Sequence, residues 1–315
     1  MQPRSSSQRA LIAVTGATGA QGGSLARALL ADPQGGFGVR AITRKAARAR
    51  ALADLGAEVV EADLDDPDSL RRAFAGAHGA FLVTNFWEHF SPEKEIAQAR
   101  NMAWAARESG LAHLIWSTLE DTRLRVPLSD PRMPTLQGKY KVPHFDGKGE
   151  ADALFEGLPV TYLLTSFYWD NLIHFGMGPK PGADGRLAFT LPMGDHKLPG
   201  IAAEDIGRAA HGLFRRGAEF IGRRVGIAGE HLTGKQMAAA LTTALGRPVV
   251  HDAATPAAFR ELGFPGADDL GNMFQYKAEF QREFCGARDV AFSRSLNPKL
   301  QTFAQWLEAN AAKIP

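Results

Sequence analysis

Thr15-Gly16-Ala17-Thr18-Gly19-Ala20-Gln21-Gly22-Gly23 follows the apolar run Leu11 to Val14. It leads into a stretch, Gly22 to Ala31, that places Leu25, Ala26, Leu29 and Leu30 on one helical face. Glycines at 16, 19 and 22 give the spacing G-x-x-G-x-x-G between a strand and a helix, and that context gives the string its meaning. Glycine at such a turn permits positive backbone angles and close approach of a ligand to the main chain. The amides and dipole at the helix start then hold negative charge. The bland alternative is a glycine-rich turn without a ligand. The register of strand, loop and helix favours a diphosphate cradle over Gly16, Ala17, Thr18, Gly19, Ala20, Gln21 and Gly22.

Outward from this loop, short apolar runs alternate with amphipathic stretches. Strands are expected at Leu11 to Thr15, Val39 to Thr43, Glu58 to Glu61, Gly79 to Thr84, His113 to Ser117 and Val160 to Leu164. Helices are expected at Gly22 to Ala31, Arg44 to Leu55, Pro67 to Phe74, Glu93 to Ser109 and Lys148 to Phe155. Parallel neighbours need right-handed crossovers, so the reading is an α/β fold: a doubly wound parallel Rossmann sheet with its ligand at the strands' carboxyl ends. Asp121 to Val142, broken by Pro127, Pro131 and Pro134, reads as an irregular surface excursion. Gly176 to Leu191 reads as a loop, an Asp184-Gly185 turn and a strand. Ala203 starts a helix, Val225 to Ala228 is a strand, and Thr233 caps a helix over Gly234 to Leu245 that Gly246 and Pro248 end. The expected organisation is a flexible tail over 1–9, a Rossmann domain over 10–170, and a smaller, mixed, mostly helical substrate-side lobe over 171–315. Segments of that lobe near 200–230 are expected to return to the sheet.

The 315 residues are 45% hydrophobic, enough for a full core, and the 36 basic against 34 acidic residues leave a net charge of +2. Nothing in that balance points to a nucleic acid or an acidic membrane surface. One cysteine, Cys285, excludes an intramolecular disulfide framework and a cysteine-rich metal site. No His, Cys and Asp cluster has metal spacing, no apolar run is long enough to span a bilayer, and the N-terminal apolar run is too short for a signal peptide. Cytoplasmic is the simplest expected location.

The second strand should end at Thr43-Arg44, where NAD-binding relatives carry an acidic residue for the ribose hydroxyls. No carboxylate stands here to repel a 2′-phosphate, and Arg44 can pair with it in a bidentate fork, which favours NADP(H) over NAD(H). Lys45 and Arg50 read as a solvated basic face. Asp63 has two readings, an adenine contact or a cap for the Asp65-Asp66-Pro67 turn. Asn85, in Thr84-Asn85-Phe86, falls at the ligand edge of the fourth strand.

Thr15 to Gly23, Thr43-Arg44, Thr84-Asn85-Phe86-Trp87-Glu88, His144-Phe145-Asp146-Gly147-Lys148-Gly149-Glu150, Asn171-Leu172, Val250 to Ala253, Leu262 to Leu270, Asn272 to Phe274 and Leu296 to Pro298 together resemble the NmrA-like family, and within it the NADPH-sensor branch. The resemblance covers nearly the whole chain. It implies an atypical short-chain dehydrogenase fold. It also implies cofactor contacts at Gly16 to Gln21, Arg44, Arg48, Asp63, Thr84, Asn85, Phe86, Lys94, Lys148, Tyr168, Trp169, Asp170 and Asn171. Active members of the wider group carry Tyr-x-x-x-Lys after the fifth strand, where the lysine lowers the tyrosine pKa. This chain has His144-x-x-x-Lys148. Ser117 stands at the serine-like position, Tyr140 would need a different backbone path to replace the missing phenol, and Phe86 replaces the branch's usual tyrosine.

Lys148 is therefore expected to hold the nicotinamide ribose and is a candidate catalytic residue. His144 is a candidate acid, with a polar pocket edge as its other reading. Trp87, Phe167 and Trp169 either line a pocket for a flat substrate or belong to the core. Two functions follow. The leading expectation is an NADP(H)-binding redox sensor with little or no dehydrogenase activity, acting on a regulated protein partner through a loop or homodimer interface. The alternative is an NADPH-dependent reductase of a quinone, enone or similar small flat carbonyl substrate that uses Lys148. A sugar epimerase or dehydratase lacks its tyrosine.

Overall fold

A computed structural model describes residues 9–182 and 185–315. The expected tail, apart from Arg9, and Asp184 of the expected turn lie outside the described residues. Strands and helices alternate through β1 (Ala10–Val14), α1 (Ala20–Leu30), β2 (Phe37–Thr43), α2 (Arg50–Asp54), β3 (Glu58–Glu61), α3 (Pro67–Phe74), β4 (Gly79–Leu82), α4 (Pro92–Glu108), β5 (His113–Thr118), α5 (Pro143–Ala151) and β6 (Val160–Leu164). The chain continues through β7 (Phe167–Tyr168), α6 (Asn171–His174), β8 (Lys180–Pro181), β9 (Leu187–Thr190), β10 (Lys197–Ile201), α7 (Ala203–Arg215), β11 (Arg224–Gly226), β12 (Glu230–Thr233), α8 (Gly234–Leu245) and β13 (Val249–Asp252). Five helices complete it: α9 (Pro256–Arg260), α10 (Ala267–Glu279), α11 (Gln281–Gly286), α12 (Val290–Leu296) and α13 (Phe303–Asn310).

Seven strands form one parallel sheet in the order β11-β6-β5-β4-β1-β2-β3. The chain winds outward from β1 in one direction and then returns to pair β4 with β1, with Val14 opposite both Ala41 and Phe81. This reversal opens a crevice at the carboxyl ends of β1 and β4, the topological switch point where such sheets bind ligands. Both faces are covered, so every residue of β4 and β5 is buried and the strands read as apolar runs rather than alternations. On one face Leu25 and Leu29 of α1 meet Ile206, Ala209, Ala210 and Leu213 of α7 in a common core. The two helices touch through backbone: a Cβ on Gly207 would come 2.2 Å from the Leu25 nitrogen. On the other face Leu70 and Phe74 of α3 pack with Met102 of α4 and Trp116 of β5.

Two expected helices differ. The stretch after β2 is not one helix but a short 3-10 turn, Ala46–Ala49, followed by α2. More consequentially, α5 starts at Pro143 rather than Lys148, so His144 and Lys148 share one helix. Gly147 and Gly149, poor helix formers in isolation, mark close approaches here instead of a break. A Cβ on Gly147 would sit 3.0 Å from Pro92 of α4, and one on Gly149 would sit 2.4 Å from the Asp121 nitrogen. Asp146, fully buried, secures the helix start by accepting from the Lys141, Val142 and Thr122 amides at 2.7, 3.0 and 2.8 Å.

The remainder forms a smaller, largely helical lobe with two three-stranded sheets, β12-β10-β7 and β13-β9-β8. Its core gathers Trp169, Phe189, Leu241, Phe274, Phe303 and Trp306. Helix α8 starts in a capping box between Thr233 and Gln236 and ends at Gly246 in the left-handed region, φ +65°, as its end signals predict. Among the described residues no helix is long and apolar enough to cross a membrane.

Candidate cofactor and acceptor site

The glycine loop links β1 to α1, and each glycine has a separate physical reason. Gly16 adopts φ +58°, a region costly for other residues. Gly22 lies against the loop's own carbonyls, since a Cβ there would fall 2.4 Å from Thr15 O and 2.5 Å from Gly16 O. Thr15 ties the loop to β4: its hydroxyl accepts from the Val83 amide at 2.9 Å and donates to Phe81 O at 3.2 Å. The first turn of α1, capped by Gly19 without a side-chain acceptor, presents its amides at the switch point. Gly16, Thr18, Gly19 and Ala20 are exposed along this loop and Gln21 is half-buried, while Ala17 and Gly22 are buried beneath it.

Three elements bring Lys148 to the centre of this edge. Its ammonium donates to Thr84 Oγ1 at 2.8 Å and to the Ser117 carbonyl at 3.2 Å, and it lies 3.3 Å from Glu95 Oε1. Glu95 is fully buried and accepts from the Thr84 hydroxyl at 2.6 Å, while its other carboxylate oxygen has no hydrogen-bond partner among the described residues. The Trp116 ring lies under the ammonium at 4.9 Å. Beside this group, the Ser117 hydroxyl donates to Gln21 Oε1 at 2.8 Å, and Gln21 Nε2 donates to Tyr168 Oη at 2.6 Å. The loop residue Gln21 therefore bridges β5 and β7. Burial pushes the Tyr168 phenol up to about 12, so it is not an activated acid of the short-chain dehydrogenase kind. Tyr140 is no replacement either: its hydroxyl donates to Glu93 at 2.9 Å.

One helical turn before Lys148, the His144 ring places Nδ1 2.6 Å from Asp269 Oδ1, and the His144 amide donates to Asp269 Oδ2 at 3.2 Å. Asp269 belongs to α10, so the smaller lobe supplies the partner. A carboxylate accepting from Nδ1–H fixes the tautomer and leaves Nε2 to take or give a proton. Nε2 makes no hydrogen bond to another described residue. The rings of Trp87 and Phe86 stand 4.9 and 5.8 Å from the imidazole, and Phe175 stands 6.5 Å from Trp87. Trp87, half-buried, lines this side of the crevice. Phe167 instead lies in the lobe core.

At the far end of the crevice the local sequence misleads. Arg44 follows β2 as expected, but its guanidinium forks onto Glu88 at 2.5 and 3.1 Å. A carboxylate does occupy this corner, delivered by the 3-10 turn Phe86–Glu88 after β4, 44 residues away. The fork holds the Glu88 carboxyl below its ordinary range and raises Arg44. Lys94 is likewise paired, with Asp65 at 2.7 Å. Arg48 is exposed on the neighbouring 3-10 turn, and Asn85 is exposed beside buried Thr84 and Phe86. Asp63 accepts from the Asp65 amide at 3.0 Å, which realises the turn-capping reading of that residue.

Comparison with known proteins settles the family, because the model of the NmrA-like family matches residues 8–307. The chain belongs to the NmrA-like family. NmrA-like relatives include the NmrA-like family domain-containing oxidoreductase FrzB of Cladobotryum sp, 31% identical over 84% of this chain and 83% of that protein. An NAD(P)H azoreductase of Xenophilus azovorans is 27% identical over 96% of this chain and 98% of its own. The crystal structure of NmrA, a negative transcriptional regulator, in complex with NADP superposes with a TM-score of 0.76 at 25% identity, covering 97% of this chain and 96% of that one.

Against the NmrA-like expectation, the segment after β6 divides. Tyr168 faces Gln21, but the Trp169 indole is buried against Phe303 and Trp306 at 5.3 and 6.4 Å, so its ring belongs to the lobe core and is unavailable to a cofactor. Asp170 accepts from the Ala203 amide at 2.8 Å and so serves the start of α7. Asn171 opens α6 and is half-buried. Three groups to which the sequence reading gave no role, Glu95, Asp269 and Glu88, complete the site.

Proposed function

We propose that this NmrA-like protein is an NADP(H)-dependent reductase of a small flat acceptor such as a quinone, enone or azo compound. The observation that carries the reading is the Asp269–His144 pair one helical turn from buried Lys148. The cradle fits a dinucleotide: Gly16 takes a positive φ, Gly22 packs against the loop's own carbonyls where a Cβ could not stand, and a helix start faces the crevice. On this reading Gly16 to Gly22 hold the diphosphate, Arg44 with Arg48 and Lys94 serves the adenosine phosphate end, and Thr84, Asn85 and Phe86 border the cofactor's middle. Lys148 binds the nicotinamide ribose, with Tyr168 and Asn171 near the nicotinamide end. When bound, the reduced cofactor supplies a hydride.

The chain's own residues then manage geometry and the proton. Thr84, Ser117 O and Glu95 fix the Lys148 ammonium. Asp269 orients His144 and balances its imidazolium form, whose Nε2–H gives the acceptor its proton beside the Trp87 and Phe86 rings and leaves the neutral Nδ1–H ring. Support comes from NmrA-like relatives described as oxidoreductases and from the azoreductase. A second reading, a cofactor-binding regulator, is favoured by histidine standing where active short-chain dehydrogenases have tyrosine.

The test is NADPH titration alongside oxidation assays with quinone, enone and azo acceptors. Turnover is expected, with kcat lowered about 100-fold or more in His144→Ala and also lowered in Asp269→Asn, each at retained NADPH affinity. Tight binding without turnover on any acceptor refutes the reductase and leaves the regulator.

A further inference from the structure

The corner where β2 ends decides between the two nicotinamide cofactors, and here it holds both of the groups that ordinarily exclude one another. Arg44 offers the fork that suits a 2′-phosphate. Glu88 fills that fork with both carboxylate oxygens, at 2.5 and 3.1 Å. Asp63 and Asp65 add their fields to the same guanidinium, and Lys94 is held by Asp65 at 2.7 Å. A 2′-phosphate must therefore displace one carboxylate and settle near two more. A 2′-hydroxyl need displace nothing: it finds in Glu88 the acceptor that NAD-binding sheets place at the end of their second strand. Arg44 and Glu88 are 56% and 46% exposed, so the exchange requires no opening of the core.

We infer that Glu88 is the specificity-determining residue of this site, a carboxylate supplied from the β4 turn that competes with the cofactor's 2′-phosphate for Arg44 and lets the protein use NADH as well as NADPH. The chain thereby carries a narrower preference for NADPH than Arg44 alone would impose. The same turn bears Phe86 and Trp87, whose rings border His144, so the group that leaves Arg44 is two residues or fewer from the acceptor wall.

This inference rests on the cofactor half of the proposed function and not on turnover. Calorimetric titrations of NADPH, NADH, 2′-AMP and 5′-AMP into the full chain, wild type and Glu88→Gln, test it. The substitution is expected to tighten NADPH and 2′-AMP by about threefold to fivefold, the range open to an exposed ion pair. NADH is expected to weaken, so that the ratio of the two dissociation constants moves by about tenfold. Arg44→Ala should move the ratio the opposite way. Melting temperature is the folding control for both variants. A ratio in Glu88→Gln within twofold of wild type overturns the inference while leaving cofactor binding intact. Wild type that binds neither dinucleotide overturns both. Binding with no turnover removes the reductase reading and supports the inference if the ratio shifts as stated.

Discussion

Replacing Glu95 with glutamine removes one charge from the inside of the site and changes almost no volume. Glu95 is fully buried, accepts the Thr84 hydroxyl at 2.6 Å, and stands 3.3 Å from the Lys148 ammonium, itself nearly buried. The amide oxygen can still accept from Thr84. What is lost is the countercharge, and breaking a buried pair from one side costs about 3–5 kcal/mol. Lys148 keeps Thr84 Oγ1 and the Ser117 carbonyl, so the lower end, about 3 kcal/mol, is expected for Glu95→Gln. In a chain of this size that is a fall of roughly 4–5 °C in melting temperature. Lys148→Met should cost a similar amount by stranding the carboxylate. The double variant should be less destabilised than the sum of the two, by at least about 1 kcal/mol, because neither charge is then left alone. Thermal and urea unfolding of the four proteins without cofactor measures this cycle. Additive losses, or a Glu95→Gln shift below about 2 °C, would refute the claim that a buried ion pair holds Lys148 in place.

Two further predictions concern positions outside that pair. Lys277 has Met273 Sδ at 3.1 Å and the Phe145, Phe274 and Phe284 rings at 5.4, 5.8 and 5.3 Å; burial, aided by Arg288, lowers its ammonium pKa to about 7. Its folded pKa lies below the unfolded value, so the unfolded chain holds the extra proton between about pH 7 and 10.5, and stability from this group rises with pH across that window. Lys277→Met should flatten that rise and stabilise most at pH 7 and below; urea midpoints at pH 6 to 9.5 that differ from wild type by a constant would contradict it. Gly22→Ala sets a methyl 2.4 Å from Thr15 O, backbone against backbone, and should lower stability by about 1–3 kcal/mol and abolish dinucleotide binding. In Gly36→Ala, where the Cβ meets nothing within 4 Å, only the positive φ is strained, and NADPH titration should give wild-type affinity.

The sheet was legible because its information is local. Apolar runs such as Phe81-Leu82 and Leu114-Ile115-Trp116, punctuated by a glycine loop and a helix capped by Thr233, depend on neighbours within a few residues. The site was legible only on one side of each contact. Lys148, His144 and Arg44 stand out by motif or position, but their partners Glu95, Asp269 and Glu88 come from other elements, 125 residues away in the case of Asp269. One signal was available. Glu95 falls on the stripe with Ala99, Met102 and Ala106, and Asp269 on the stripe with Met273 and Tyr276, all buried. An acid at an apolar helical position must find a partner inside. Glu88 had no such signal, since it sits in an exposed turn. The start of α5 was missed for a different reason: its glycines answer to α4 and Asp121, which no local propensity registers.

The i, i+4 placement of His144 and Lys148 on α5 works as a ruler. Four residues of helix advance about 6 Å along one face, so on the proposed reading the place where a proton is delivered and the place where a ribose is gripped are registered by the backbone itself. One end of that ruler is fastened to Thr84 and the other to Asp269 of the smaller lobe. Surrounding aromatics can be exchanged to admit a different acceptor while that interval stays constant. A single inserted residue between the two, by contrast, would swing one of them about 100° out of line, and no repacking of the pocket could restore the register.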